Sequence, residues 1–191
     1  MIVLGITGTL GAGKGTVAEY LHDKSFIHLS VSGYLTDLII ADKKVVNRDT
    51  MLEKANQMRA LFGNDYLIRQ LYAQAINTGH DCVIESIRNV GEVEYLKKQS
   101  NFILIAVDAP AEIRFARILE RKSTKDEVSF EKFLADEARE MNDPDPTKTN
   151  LSACVKMADM ILINDGSQED LYKKIDQALM SWRAHDTKAK V

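Results

Sequence analysis

Five short, unbroken apolar runs punctuate the chain, at residues 2–7, 26–30, 82–86, 102–108 and 159–164. Runs that are apolar at every position, rather than at alternate ones, and that end in turn-forming residues are expected of strands buried on both faces. Between them apolar residues recur at helical spacing over 14–23, 91–98, 111–122 and 130–141, and over 50–77 as one or two helices broken near Gly63-Asn64-Asp65. The 130–141 helix would turn Phe130, Phe133, Leu134, Glu137, Ala138 and Met141 toward one side. Asp143-Pro144-Asp145-Pro146 stops helix, because proline lacks an N–H and restricts its predecessor. A last helix opens near Ser167, with Asp170 completing a capping box, and carries Leu171, Ile175, Ala178, Leu179 and Trp182 on one stripe. The polar tail from Arg183 is expected to fray. Strands alternating with helices along the whole length predict an α/β fold, a doubly wound, parallel, five-stranded sheet between two helical layers. No repeat or low-complexity segment interrupts it.

The composition narrows the classes. At 191 residues the chain suits one domain with insertions. Its net charge of −3 argues against a general binder of nucleic acid or anionic membrane, so any positive charge must act locally. No apolar run is long enough to span a bilayer, and the first strand leaves no room for a basic leader, so the expected compartment is the cytoplasm. Cys82 and Cys154 sit in apolar surroundings and read as core thiols. Four scattered histidines show no ligand spacing.

The chemistry enters directly after the first apolar run. Gly8-Thr9-Leu10-Gly11-Ala12-Gly13-Lys14-Gly15-Thr16 lies between a strand and a helix, the layout of a phosphate-binding P-loop. Small residues there let backbone N–H groups turn inward around phosphate oxygens. The helix adds its free amides and dipole, and Lys14 a positive charge. The expected ligand is a nucleoside polyphosphate, ATP with Mg²⁺. The hydroxyl that usually follows the lysine arrives one residue late, at Thr16, behind Gly15. That ending resembles the adenylate kinase type of P-loop, in which resemblance Thr16 faces the α-phosphate and phosphates and waters hold most of the metal.

Two further stretches carry charge where a phosphoryl group would need it. The third strand ends in Glu85-Ser86-Ile87-Arg88. An acid at the carboxyl end of a strand in such a sheet lies near the ligand crevice, so Glu85 either holds a water on Mg²⁺ or pairs with Arg88 at the surface. Arg114, Arg117 and Arg121 recur at i, i+3 and i+7 and share a helix face. Guanidiniums gathered this way read either as a solvated basic face or as a clamp on a transferring phosphoryl group.

Over most of its length the chain resembles the nucleoside monophosphate kinases. Leu29-Ser30-Val31-Ser32-Gly33-Tyr34-Leu35 is similar to the segment that opens their acceptor region. Val83-Ile84-Glu85-Ser86-Ile87-Arg88 is similar to the strand whose arginine holds the acceptor phosphate, and Arg117-Ile118-Leu119-Glu120-Arg121-Lys122 to the start of their lid. Ala158–Ser167 resembles the loop beside the ATP base in dephospho-CoA kinases, which brings Asp165 toward the nucleotide. The resemblance implies one domain over 1–191, an acceptor-binding insertion over about 31–78 and a lid over about 122–150. It implies transfer of the ATP γ-phosphoryl group to a nucleotide acceptor, with Lys14, Arg88, Arg117 and Arg121 catalytic and Arg139 a further lid cation.

Two departures leave the acceptor open. Where an arginine is expected two residues after Tyr34, the chain has Thr36, so Arg48 or Arg59 would replace it. Where a glutamine reads the base, it has Glu92, which either accepts from a donor-rich base edge or is an exposed acid at a helix N-terminus. A dephospho-CoA kinase, with Asp37 activating a hydroxyl, and a nucleotide sensor without turnover are the alternatives. A GTP switch is excluded by the lack of its guanine-reading motif.

Overall fold

The structure, a computed structural model, describes residues 1–120 and 129–189, with side chains through Trp182. Its five strands are β1 (Val3–Gly8), β2 (Ile27–Ser30), β3 (Cys82–Glu85), β4 (Phe102–Asp108) and β5 (Met160–Ile163). They form one sheet in the order β2-β3-β1-β4-β5, every pair parallel. Each predicted strand falls where its apolar run lies.

The helices are α1 (Lys14–Asp23), α2 (Val31–Ala41), α3 (Arg48–Phe62), α4 (Tyr66–Thr78), α5 (Val90–Lys97), α6 (Ala111–Glu120), α7 (Phe130–Met141), α8 (Leu151–Lys156) and α9 (Gln168–Ala189). Gly63 divides α3 from α4, as the sequence predicts; α2 and α8 are additional. Asn47, Asn89, Ser129 and Asn150 cap α3, α5, α7 and α8. The Ser167–Asp170 capping box forms at the start of α9, Asp170 N–H donating to Ser167 Oγ at 3.1 Å. The backbone of that helix is described as far as Ala189, with no proline or glycine after Trp182 to end it earlier.

Two apolar layers hold the sheet. Leu4, Ile6, Val83, Ile105 and Val107 pack with Val17 and Leu21 of α1 and Leu171 and Ile175 of α9. On the other face Val3, Ile84 and Leu104 meet Leu35, Met58, Leu67, Leu71, Leu96 and Cys154 of α2, α3, α4, α5 and α8. The segment expected to form the acceptor insertion is therefore built into the main core.

The order of strands reverses at β1, whose neighbours β3 and β4 lead onward in opposite directions. Ligand crevices of open α/β sheets form outside the carboxyl ends of strands at such a point. β1 ends there at Gly8 and β3 at Glu85.

Candidate active site

A cleft of about 790 Å³ opens at that switch point. Its floor is the P-loop, with Gly11, Gly13, Lys14, Gly15 and Thr16 in its wall. Gly8, at φ 135°, has no room for a side chain against the Val107 backbone, and Ala12 lies buried beneath the loop. Gly13 takes φ 99° as the left-handed residue before α1, and no side chain caps that helix. The first-turn amides of α1 are thereby left facing the cleft, where an anion would be stabilised. Lys14 Nζ bonds the carbonyls of Gly8 and Thr9 at 3.0 and 2.8 Å, spanning the loop.

Distant residues brace this loop. Thr9 Oγ1 donates to Asp108 Oδ1 at 2.6 Å, and Asn164 Nδ2 to the Ala12 carbonyl at 2.8 Å. Arg114 is buried, giving Nε to Ala109 O at 2.7 Å, Nη1 to Leu10 O at 3.2 Å and Nη2 to Glu137 at 2.9 Å. It supports the P-loop from behind, so the expectation that it shares an anion-facing surface with Arg117 is corrected: its donors are spent on two carbonyls and on Glu137. Arg117 does line the cleft, with Nη1 on the Asn164 carbonyl at 2.9 Å. Arg121 lies outside the described residues.

Beside the P-loop stands Glu85, bonded to His28 Nε2 at 3.2 Å. Burial pushes its carboxyl up, but His28, Lys14 and Arg88 more than offset this and hold it below the usual range. The next residue, Ser86, is buried with φ 71°, a left-handed conformation that serine adopts at a cost. An ionised carboxylate facing a phosphate loop is a suitable support for a hydrated divalent cation. Among the described residues no cluster of three or more histidine, cysteine or acidic side chains forms a direct metal site.

The opposite wall is α3, which turns Arg48, Met51, Leu52, Ala55 and Arg59 into the cleft across from Val31 and Leu35 of α2. These positions share one helix face, and the two arginines are separated by about 16 Å along the axis. Arg88 completes the charged end, with Nη1 bonded to Glu140.

Four expected roles are corrected here. Glu92 is fully buried and its oxygens accept from Arg59 and from the backbone N–H groups of Arg88 and Asn89, which caps α5; it has no lone pair to offer a base. Asp165 is exposed, 3.7 Å from Lys174, and Asn164 and Gln168 line the cleft in its place. Arg139 pairs with Asp49 at 3.1 Å, outside the cleft wall. Asp37 is exposed and also off the cleft.

Comparison with known proteins fits this architecture. A family profile described as an AAA domain matches residues 4–145. The chain belongs to the AAA domain family. A UPF0200 protein of Sulfurisphaera tokodaii is 27% identical over 177 residues, covering 93% of this chain and 95% of its own. Among solved structures, TT1252 from Thermus thermophilus superposes with a TM-score of 0.63 at 22% identity, over 94% of this chain and 97% of its own. The shikimate kinase from Acinetobacter baumannii in complex with shikimate gives 0.56 at 17% identity, over 95% and 94%. The dephospho-CoA kinase from Campylobacter jejuni gives 0.56 at 15%, over 96% and 98%. The fold of this AAA domain is that of the P-loop kinases. Among its described residues no helix is long and apolar enough to cross a membrane.

The inner side of α7 is where this AAA domain departs most from its sequence pattern. Phe130 and Phe133 do pack with Phe115, but Leu134 is 41% exposed while Asp136 and Glu140 are buried. Glu140 lines the cleft, 3.2 Å from Arg48 Nη2 and bonded to Arg88. Burial raises its carboxyl, yet Arg88, Arg48 and Lys14 bring it below the ordinary range, so it stands ionised. Asn164, Asp108 and Glu140 are the residues that sequence reasoning missed. The stripe read from the sequence carried Glu137 and not Glu140, so no signal pointed to the last.

Proposed function

We propose that the protein transfers the γ-phosphoryl group of ATP to a small anionic acceptor, a nucleoside or deoxynucleoside monophosphate. One observation carries this reading: a single cleft joins an uncapped P-loop helix to Arg48, Arg59 and Arg88 on its far side. The first end suits a polyphosphate; the second suits an acceptor phosphate. Met51, Leu52, Ala55, Val31 and Leu35 supply an apolar wall for the acceptor's organic body.

In this reading the P-loop amides and Lys14, released from the Gly8 and Thr9 carbonyls, hold the β- and γ-phosphates, and Thr16 meets the α-phosphate. Glu85 supports the waters of a Mg²⁺ ion, which supplies charge neutralisation when bound. Arg88 aligns the acceptor phosphate for in-line attack, and Arg117, with Arg121 beyond the described residues, faces the transferring group. A phosphate acceptor is already nucleophilic, so positioning and charge stabilisation suffice without a base.

A second reading has one observation in its favour. Glu85 is ionised, bonded to His28 and set in the cleft, as a base for a hydroxyl acceptor would be. A dephospho-CoA-type acceptor would use it in that way. The two readings separate on Arg88→Gln and Glu85→Gln with ATP·Mg²⁺. A phosphate acceptor requires Arg88→Gln to raise the acceptor KM strongly while the ATP KM stays near its original value. A hydroxyl acceptor requires Glu85→Gln to abolish the bell-shaped or rising pH dependence of kcat. Tight ATP binding with no transfer to any acceptor contradicts both.

A further inference from the structure

The inner side of α7 carries acids, of which Glu140 lines the cleft. Asp136, Glu137 and Glu140 lie at i, i+1 and i+4, and each meets an arginine from another element. Glu137 takes Arg114; Asp136 stands 3.7 Å from Arg48 Nη1; Glu140 takes both Arg48 Nη2 and Arg88 Nη1. All three guanidiniums set out for an acceptor are thus already held by carboxylates of the chain itself, Arg48 and Arg88 by Glu140 and Arg59 by Glu92. The pairing is incomplete. Arg48 Nη1 and Arg59 Nη1 are buried, belong to side chains that line the cleft, and make no hydrogen bond among the described residues. A buried donor without an acceptor is costly, and such atoms point to a ligand oxygen.

We propose that Glu140 is a built-in competitor for the acceptor's anionic group. Its carboxylate occupies the Arg48–Arg88 pair, and an acceptor takes that pair only by displacing it, so acceptor binding and loosening of α7 are one equilibrium. The inference rests on the acceptor reading above and gives the physical reason for its choice of a phosphate over a carboxylate. A carboxylate ligand replaces Glu140 with a group of equal charge and two oxygens, and gains nothing electrostatically. A phosphate monoester brings up to two charges and three oxygens, enough to engage Arg48 and Arg88 together. Glu140 therefore sets the site to admit phosphate monoesters and refuse carboxylates.

The test uses inorganic phosphate and acetate as probes on the full chain, by calorimetric titration. In wild type, phosphate binds and acetate does not. In Glu140→Gln, phosphate binds at least tenfold tighter and acetate binding becomes measurable, and both gains vanish in Glu140→Gln/Arg88→Gln. Unchanged or weaker phosphate binding by a folded Glu140→Gln overturns the proposal, because Glu140 would then be part of the ligand's own contacts. A gain that survives Arg88→Gln also overturns it, by placing the phosphate on the P-loop. Should Glu140→Gln not fold, hydrogen exchange on the wild type decides. Phosphate must speed exchange of the α7 amides several-fold, and protection or no change contradicts displacement. None of these readouts needs turnover, so an absence of phosphoryl transfer would sink the proposed function while leaving this test intact.

Discussion

Asn164 reaches across 152 positions of sequence to donate its side-chain amide to the Ala12 carbonyl at 2.8 Å. The loop after β5 is thereby tied to the phosphate loop after β1. Asn164→Ala leaves that buried carbonyl unpaired, a loss of about 1–3 kcal/mol of stability. It also frees the turn that Gly13 makes beside the same amide, so ATP affinity falls with it. Thermal unfolding and nucleotide titration check the two together; a variant with lowered stability and unchanged ATP affinity contradicts the bracing role.

Glu92 answers Arg59 inside the core, with Nη2 and Nε on one oxygen at 2.7 and 3.1 Å. Glu92→Gln strands a buried guanidinium without its counter-charge, a cost of about 3–5 kcal/mol. The ranking of acceptors stays as it is, because the side chain meets no base. Denaturant unfolding gives the first result and competition between acceptors the second. A changed ranking in a stable variant restores Glu92 as a reader.

Stability responds to acid through Glu85 and Glu140. Both carboxyls titrate below the ordinary glutamate value of about 4.3. Their contribution is therefore complete above that pH and is lost as pH falls through the depressed values, where the unfolded chain binds more protons. Trp182, the only tryptophan, lies on α9 and packs against the apolar layer between that helix and the sheet, so its fluorescence reports unfolding. Glu140→Gln is expected to flatten the acid limb of the stability profile; an unaltered slope means that the native carboxyl titrates normally.

Cys154 is buried in the core and its thiol is pushed up to about 12 by desolvation; Cys82 is also buried and raised. The thiolate is the reactive form. Neither cysteine should react with a thiol reagent in the native protein, and both should react on unfolding. A fast-reacting native thiol would show that a core layer opens.

The strands and the P-loop were legible because their signals are local. Continuous apolar runs announce strands covered on both faces, and the spacing from Gly8 to Thr16 places a phosphate loop before α1. Side-chain roles depended on partners far along the chain. Arg114 and Arg117 look alike on α6, yet one is consumed by Leu10, Ala109 and Glu137 and the other opens to the cleft. Glu92 could not be told from a surface acid until Arg59, 33 residues away, was seen to bury it. On α7 the apolar period suggested a core face, but Asp136 and Glu140 are buried because Arg48 and Arg88 compensate their charge.

The central claim is that one cleft passes a phosphoryl group from ATP to a phosphate-bearing acceptor. Its most direct test is a coupled ADP-release assay with ATP·Mg²⁺ against nucleoside monophosphates, deoxynucleotides and dephospho-CoA, with Lys14→Ala as control. The account predicts one monophosphate that raises turnover far above the rate without acceptor, and loss of that turnover in Lys14→Ala. Tight ATP binding with no acceptor raising the rate would contradict it and leave a nucleotide sensor as the reading of this site.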